Sequence, residues 1–216
     1  MNNKIPFRLP PKGALDPIDC DDPLIFYHRP LVGSLYRKRI AQALSLLTPP
    51  YESILEIGYG SGVLMPTLST ISKSVSGIDL NADPRKVTSR LRRMGVNVSL
   101  SKGDIVMAGY PDASFDLIVA ISIFEHVPDL KMVLDKVFRL LRDGGHLLVG
   151  MPRVDSLMNM LFHLIGYHDI KAHHFNDHAQ FLLAADKMFR LEGFRRIPEY
   201  LPLSWGLYFN MLFKRA

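Results

Sequence analysis

The chain has 216 residues, of which 48% are hydrophobic and 22% charged, and it carries a net charge of +5. This composition fits one globular domain with a sizeable core, and the single cysteine, Cys20, excludes an internal disulfide framework and favours a reducing, cytoplasmic location. No apolar run is long enough for a membrane-spanning helix, and no signal-peptide pattern opens the chain.

The N-terminal part of the chain separates into an arm and a helix. Five prolines within residues 1–25 predict an irregular arm that is not a packed element. Pro30 suits the first position of a helix, and apolar residues with helical spacing extend that helix over about 31–47. We therefore predict an N-terminal arm and helix over 1–49, followed by one larger domain over 50–216.

Basic residues form small clusters, of which Arg37-Lys38-Arg39 in the first helix is the densest. Clusters of this kind contact phosphate or anionic lipid in some proteins, but on a helix they more often form a solvated face. We interpret this cluster as a solvated face. The sequence carries no added nucleic-acid-binding domain, so no nucleic-acid partner is expected.

Between residues 50 and 151, short apolar runs alternate with segments of helical spacing. The predicted strands cover about 52–57, 74–80, 96–100, 115–121 and 146–151. The predicted helices cover about 63–71, 83–94 and the segment that Pro128 opens and Gly144-Gly145 ends. This alternation predicts an α/β fold with a parallel sheet and helices on both faces.

The alternation stops after residue 151. Residues 152–176 include an apolar helical segment at 156–165. Asp177 is predicted to cap a helix that continues to about Glu192, where Gly193 ends it. Two closing strands are predicted at about 197–201 and 207–214.

Chemically distinctive residues follow four of the predicted strands. These stretches are Glu56 to Gly62, Asp79, Asp104 and Ile121 to Glu125. In open parallel sheets the ligand crevice lies outside the carboxyl ends of the strands, so the four stretches are expected to converge there. Glycine at every second position allows positive φ angles or close approach of a ligand to the backbone.

The order and spacing of these motifs resemble class I S-adenosylmethionine-dependent methyltransferases, especially the small-molecule branch that includes quinone-biosynthesis enzymes. The motifs are Glu56-x-Gly58-x-Gly60-x-Gly62, Asp79, Gly103-Asp104, Ser114-Phe115-Asp116, Phe124-Glu125-His126-Val127 and Leu140-Leu141-Arg142-Asp143-Gly144-Gly145. The resemblance covers about 50–151 well and the final two strands loosely. It implies a Rossmann-like, seven-stranded, mostly parallel sheet with helices on both faces and an antiparallel C-terminal hairpin, forming a methyltransferase domain over 50–216.

The resemblance also implies a binding site for S-adenosyl-L-methionine. Asp79 would accept hydrogen bonds from the ribose hydroxyls, and Asp104 from the adenine amino group. The expected cofactor-binding residues are Glu56, Gly58, Gly60, Gly62, Asp79, Leu80, Asp104, Ile105 and Ile121.

Histidines are the candidates for a catalytic base, since imidazole titrates near neutral pH. They are His126, next to the crevice, and His173 and His174, within a predicted acceptor-pocket insertion at about 152–180. Related enzymes bind a divalent metal through Glu-x-x-Glu-His, but Ser122 replaces the first acid here, so no metal is expected. A hydrogen-bonding structural role remains the alternative for each histidine.

The predicted function is methyl transfer to a small, apolar or amphipathic acceptor, with S-adenosyl-L-homocysteine as the product. The segment 156–165 is interpreted either as a lid over such an acceptor, with possible contact to a membrane surface, or as a helix packed on the sheet edge. Two alternatives stay open: an NAD(P)-dependent oxidoreductase, and a protein that binds S-adenosylmethionine without catalysis. The first lacks its expected third glycine, because Val63 or Met65 stands at that position.

Overall fold

A computed structural model describes residues 5–20, 22–153, 175–200 and 206–216. The helices are α1 (Leu24–Tyr27), α2 (Pro30–Leu44), α3 (Met65–Leu68), α4 (Pro84–Arg93), α5 (Leu130–Leu140) and α6 (His178–Ala185). The strands are β1 (Tyr51–Ile57), β2 (Ser72–Asp79), β3 (Ser99–Lys102), β4 (Phe115–Ile121), β5 (Leu141–Pro152), β6 (Phe189–Ile197) and β7 (Tyr208–Arg215). A short 3-10 helix covers Phe124–His126.

The seven strands form one sheet in the order β3-β2-β1-β4-β5-β7-β6. Strands β1 to β5 pair in parallel, whereas β7 pairs antiparallel with both β5 and β6. The predicted Rossmann-like α/β fold with an antiparallel C-terminal hairpin is confirmed. The order reverses between β1 and β4, which is the position where open α/β sheets bind their ligands.

Two apolar layers cover the sheet, one on each face. Ile54 and Leu55 are neighbours on β1, project to opposite faces and are both fully buried. The first layer includes residues of α2, α3 and α4, and the second includes residues of α5 and α6. A central strand covered on both faces has no polar face, and this explains the nearly continuous apolar run of β4.

The N-terminal arm is irregular, as predicted, but the prediction that it is not packed was wrong. Ile5, Leu15 and Leu24 are buried in the same apolar layer as α2, α3 and α4. The main-chain N–H of Arg8 also donates to Thr67 Oγ1 at 2.9 Å. Prolines prevent regular hydrogen bonding but do not prevent side-chain burial, so composition alone could not indicate this packing.

Several predicted boundaries were wrong by a few residues. Helix α2 ends at Leu44, the helix after the glycine turn is the single turn of α3, and β3 begins at Ser99. Helix α5 begins at Leu130 instead of Pro128, because the Asp129 carboxylate caps it by accepting from Met132 N at 2.9 Å. The Gly144-Gly145 pair does not end α5. That helix ends at Leu140, and the extended chain of β5 already begins at Leu141.

The largest error concerns residues 186–197. Helix α6 ends at Ala185, and Phe189–Ile197 forms β6, although 189–192 was predicted as the end of the helix and the closing strand was predicted to begin only at about 197. Gly193 therefore lies within a strand, beside a register shift between Leu191 and Gly193. Because β6 is an edge strand rich in charge, its sequence lacks the apolar alternation that marks a strand.

Within the described part of the chain, every helix is too short or too polar to cross a lipid bilayer. The predicted segment 156–165 lies outside the described residues, as does most of the predicted insertion at about 152–180. The proposed boundary between 49 and 50 stays a prediction.

Candidate functional site

The glycine turn after β1 has the backbone geometry that its sequence predicts. Gly58, Gly60 and Gly62 have φ angles of +73°, +52° and +82°, which residues other than glycine rarely adopt. A Cβ atom at Gly58 would lie 1.9 Å from Cδ1 of Ile123, so a side chain at this position would require Ile123 to move. At its glycines, the turn therefore presents main-chain atoms without side chains at the carboxyl edge of the sheet.

Asp79 at the end of β2 connects the glycine turn to the loop that follows it. One carboxylate oxygen accepts from Gly60 N at 2.8 Å. The other oxygen accepts from Asn81 N at 2.8 Å and from Ala82 N at 2.9 Å. These bonds hold Asp79 in a fixed position between the turn and α4.

A cavity of about 320 Å³ lies beyond the ends of β1, β2 and β4. It brings together six of the residues predicted from sequence: Gly58, Asp79, Leu80, Asp104, Ile105 and His126. Asn81, Pro128 and Val133 also line this cavity, and sequence reasoning did not place them there. The lining thus combines branched aliphatic side chains with two carboxylates, those of Asp79 and Asp104.

A smaller cavity of about 70 Å³ lies on the other side of the glycine turn. It is lined by the predicted residues Glu56, Gly58, Gly60 and Ile121. The N-terminal part of the chain contributes Asp22, Tyr27 and Arg39, none of which was predicted as a site residue. Gly58 lines both cavities, so they adjoin at the glycine turn. Gly62 lines neither cavity, and it instead packs close to Val87 of α4.

Glu56 is a buried acid in the smaller cavity. Burial, and secondarily the nearby charge of Asp79, raise the pKa of Glu56 well above its ordinary value. Its Oε2 atom has no hydrogen-bond partner among the residues that the structure describes. The carboxyl group therefore keeps its proton readily and gains most from a cationic neighbour.

Arg39 brings a cation to the same small cavity. Its guanidinium group lies 4.2 Å from the ring centroid of Tyr36 and 5.4 Å from that of Tyr208. It donates to Ser122 Oγ and to the Tyr27 hydroxyl at 3.4 Å each, while its buried Nε has no partner in the described chain. No carboxylate of the described residues forms an ion pair with Arg39. Among the described residues, this cation therefore has hydroxyl and aromatic neighbours but no carboxylate partner.

The helical spacing of α2 indicates that Arg39 is partly buried, although it does not indicate which groups Arg39 contacts. Within α2, Tyr36 and Ala43 lie three residues before and four residues after Arg39, so Arg39 borders the buried face. Lys38 is exposed to solvent. The interpretation of the basic cluster as a solvated face is thus wrong for Arg39.

The structure describes one of the three histidines that were predicted as candidates for a catalytic base. His126 lies in the 3-10 helix after β4, exposed, on the wall of the larger cavity. His173 and His174 lie outside the described residues. A catalytic role for any of them stays a prediction. Among the described residues, no three acidic, histidine or cysteine side chains come together as a metal site.

Glu125 belongs to the motif Phe124-Glu125-His126-Val127, but it was not predicted to be a functional residue. Its side chain is buried, and Oε2 has no hydrogen-bond partner among the described residues. Burial raises its pKa to about 8, although its own main-chain N–H and the charge of Arg39 act in the opposite direction. A second buried carboxyl thus lies near Arg39.

Comparison with known proteins adds to this geometry. A family model described as a methyltransferase domain matches residues 28–187. The ubiquinone biosynthesis O-methyltransferase of Pectobacterium atrosepticum is 28% identical over 98 residues, which are 44% of this chain and 40% of that protein. The match therefore spans less than half of that relative's length.

Two solved structures have the same fold as this chain. A protein of Pyrococcus horikoshii has a TM-score of 0.68 at 18% identity, covering 84% of this chain and 91% of that one. The N-methyltransferase NodS of Bradyrhizobium japonicum, in complex with S-adenosyl-L-homocysteine, has a TM-score of 0.65 at 19% identity, covering 92% and 94%. Because the family model matches well over half of the sequence, this chain belongs to the methyltransferase domain family.

Proposed function

We propose that this protein transfers a methyl group from S-adenosyl-L-methionine to a small-molecule acceptor and releases S-adenosyl-L-homocysteine. The observation that carries the proposal is the pair of adjoining cavities at the glycine turn, of which the larger is lined by aliphatic side chains and two carboxylates and the smaller by Arg39 and the buried acid Glu56. Family membership supports the same reaction. The sulfonium of the cofactor supplies an activated methyl group, so the protein mainly has to hold two reactants in line.

The larger cavity fits an adenosine group. Its aliphatic walls, which include Ile78 and Ile105, suit a flat ring, and Asp79 and Asp104 offer acceptors for hydroxyl and amino groups. Asp79 already accepts three main-chain N–H groups, and a carboxylate accepts about four hydrogen bonds. Binding both ribose hydroxyls would therefore require one main-chain bond, such as that from Gly60, to open.

The smaller cavity fits the amino-acid end of the cofactor. That end carries a carboxylate and an ammonium group, and the cavity presents Arg39 and Glu56, each with a buried polar atom that lacks a partner in the described chain. An unpaired buried charge is costly, so Arg39 gains when the ligand supplies a carboxylate. Glu56 keeps its proton when no cation is near, and an ammonium group of the ligand would favour its ionised form. In this arrangement Arg39 holds the carboxylate and Glu56 holds the ammonium group.

The chain's own residues would then act mainly by positioning. Holding two reactants in a productive geometry lowers a barrier by about 7–11 kcal/mol, which is enough for an acceptor that is already a good nucleophile. A hydroxyl acceptor or a protonated amine also needs a base, and His126 on the cavity wall stays the candidate in the described chain.

The acceptor is proposed to be small and apolar or amphipathic, methylated at oxygen, carbon or nitrogen. The relation to a ubiquinone biosynthesis enzyme supports this class. The proposed contact with a lipid surface rests on the sequence of 156–165 alone. A cytoplasmic location is supported by the single cysteine, Cys20, which is exposed and unpaired.

Transfer of a labelled methyl group tests the proposed reaction. The purified protein is incubated with S-adenosylmethionine carrying a radioactive methyl group and with a small-molecule extract of its source cells. We expect label in an extractable small molecule, and no label with an Asp79→Ala variant that is folded. Absence of label with the parent protein, despite binding of S-adenosylhomocysteine, would favour the alternative of a binding protein without catalysis.

Replacing Arg39 tests the placement of the amino-acid end. We expect Arg39→Met to bind S-adenosylhomocysteine about tenfold to a hundredfold more weakly, because a hydrogen bond to a charged group contributes about 1.5–3 kcal/mol. Binding of 5′-methylthioadenosine, which lacks the amino-acid end, should change little. Lys38→Met is the matched control, since Lys38 is the exposed neighbour of Arg39. Parent-like affinity of Arg39→Met for S-adenosylhomocysteine, measured by calorimetry, would refute this placement.

A further inference from the structure

Asn210 is a polar residue in the middle of the sheet. It lies on β7 between Gly150 of β5 and Arg195 of β6, and its side chain is fully buried. Burying an amide without hydrogen bonds costs several kcal/mol in an apolar environment, so this side chain needs a physical reason to be there. Its sequence context, an apolar strand, would favour Leu or Val at this position.

The Asn210 amide is bonded to helix α2, at the residue that carries the cation of the small cavity. Nδ2 donates to the main-chain oxygen of Arg39 at 3.2 Å and to Gln42 Oε1 at 3.4 Å. Oδ1 has no partner in the described part of the chain. The amide is therefore only half satisfied, and the half that is satisfied contacts α2.

Gln42 extends this contact to the edge of the sheet. Its Nε2 donates to the main-chain oxygen of Arg196 at 3.1 Å and is also hydrogen-bonded to the Glu199 carboxylate. Hydrogen bonds are directional, whereas apolar packing allows a helix to rotate or slide. These bonds therefore fix the rotation and the axial position of α2 over the sheet.

The same strand also contacts the Arg39 side chain. Tyr208 lies two residues before Asn210 and hence on the same face of β7. Its ring centroid is 5.4 Å from the guanidinium carbon of Arg39, and its hydroxyl is 2.9 Å from Ser122 Oγ. Strand β7 thus contacts Arg39 at both its main chain and its guanidinium group.

We infer that Asn210 is a positioning residue of the cofactor site, which acts by holding Arg39 in place for a carboxylate ligand. This role rests on the proposed function, in which Arg39 pairs with the carboxylate of the cofactor. Asn210 itself touches neither cavity, and its effect passes through α2. The C-terminal strand thereby becomes a part of a site that is otherwise built from the N-terminal two thirds of the chain.

The test compares two ligands in the Asn210→Leu variant. We expect binding of S-adenosylhomocysteine to weaken about fivefold to tenfold, the amount by which one or two ordinary hydrogen bonds shift an equilibrium. Binding of 5′-methylthioadenosine should stay as in the parent protein, because it has no carboxylate for Arg39. In an Arg39→Met background, Asn210→Leu should have no further effect on the ratio of the two dissociation constants.

The control is Met211→Leu, a change at the next residue, whose side chain is buried in the opposite apolar layer. It should leave the ratio unchanged. If Asn210→Leu does not fold, Gln42→Met removes the other partner of the Asn210 amide and should change the ratio in the same direction.

Two results would overturn the positioning role. They are an unchanged ratio of the two dissociation constants in Asn210→Leu, whether neither ligand or both ligands equally lose affinity, and an effect on the ratio that persists in the Arg39→Met background. A parent protein without affinity for S-adenosylhomocysteine would contradict the proposed function, and the positioning role would fall with it. Parent affinity combined with an unchanged ratio overturns the positioning role alone.

Discussion

Glu125 shows how burial changes the chemistry of one residue. The side chain is 1% exposed, and burial raises its pKa to about 8. At neutral pH the carboxyl therefore keeps its proton in the folded protein, whereas in an unfolded chain it loses that proton near its ordinary pKa of 4.5. The folded state thus binds more protons than the unfolded state across this range.

This difference predicts a loss of stability as the pH rises. Between about pH 4.5 and 8, Glu125 should lower the free energy of unfolding by about 1 kcal/mol per pH unit, and the loss should stop above pH 8. Glu125→Gln cannot ionise, so we expect the variant to gain stability relative to the parent from pH 5 to 8. Urea unfolding at several pH values measures this difference. Glu52→Gln, at an exposed residue paired with Lys73, is the control. A difference between Glu125→Gln and the parent that does not vary with pH would contradict the prediction.

Sequence reasoning found Asp79 but not Arg39, and the reason lies in what each residue needs in order to be recognised. Asp79 ends a predicted strand, and a strand end fixes the position of its residue at the sheet edge. Arg39 acts from a helix that crosses the sheet, and its contacts with Tyr208 and Ser122 depend on how the helix docks. Docking geometry is a tertiary property that the local pattern does not contain.

The N-terminal arm is hydrogen-bonded to the glycine turn. The Asp22 carboxylate is buried and accepts from Leu24 N at 2.8 Å, from Ile18 N at 3.0 Å and from Ser61 Oγ at 3.2 Å. Asp22 also lines the smaller cavity. One side chain thus orders the arm, the start of α1 and the turn together.

Removing that carboxylate should loosen both the arm and the site. We expect Asp22→Ala to lower the free energy of unfolding by about 1–3 kcal/mol, because it leaves buried donors without an acceptor. Affinity for S-adenosylhomocysteine should fall as well. Asp16→Ala in the same arm breaks only an exposed pair with Arg90 and should change stability by about 0.5 kcal/mol or less. Equal effects of the two substitutions would show that Asp22 has no special role.

The strands differ in how well their sequences predicted them. Strand β4 is central and buried on both faces, and its predicted bounds of 115–121 agree with the structure. Strand β6 is at the edge of the sheet, with exposed charges and a register shift, and its first four residues were predicted as helix. Apolar patterning reports burial, so it predicts the elements of the core and fails for an edge that carries charge.

The sheet topology brings segments that are distant in sequence to one place. The turn after β1, the end of β2 and the residues after β4 meet at the predicted carboxyl edge, as their motifs indicated. The smaller cavity additionally draws on the N-terminal helices, and Arg39 is bonded to Asn210, 171 residues further along the chain. The sequence therefore predicted the half of the site that strand ends build, and missed the half that α1 and α2 build by packing across the sheet.

Calorimetric titration of the purified protein with S-adenosylhomocysteine, and separately with NAD, tests the proposed cofactor site most directly. We predict that the parent protein binds S-adenosylhomocysteine and not NAD. We also predict that Asp79→Ala, shown to be folded by circular dichroism, binds about tenfold more weakly or worse, since it loses a charged acceptor. Tighter binding of NAD, or parent-like affinity in folded Asp79→Ala, would contradict a cofactor held at the carboxyl ends of β1 and β2.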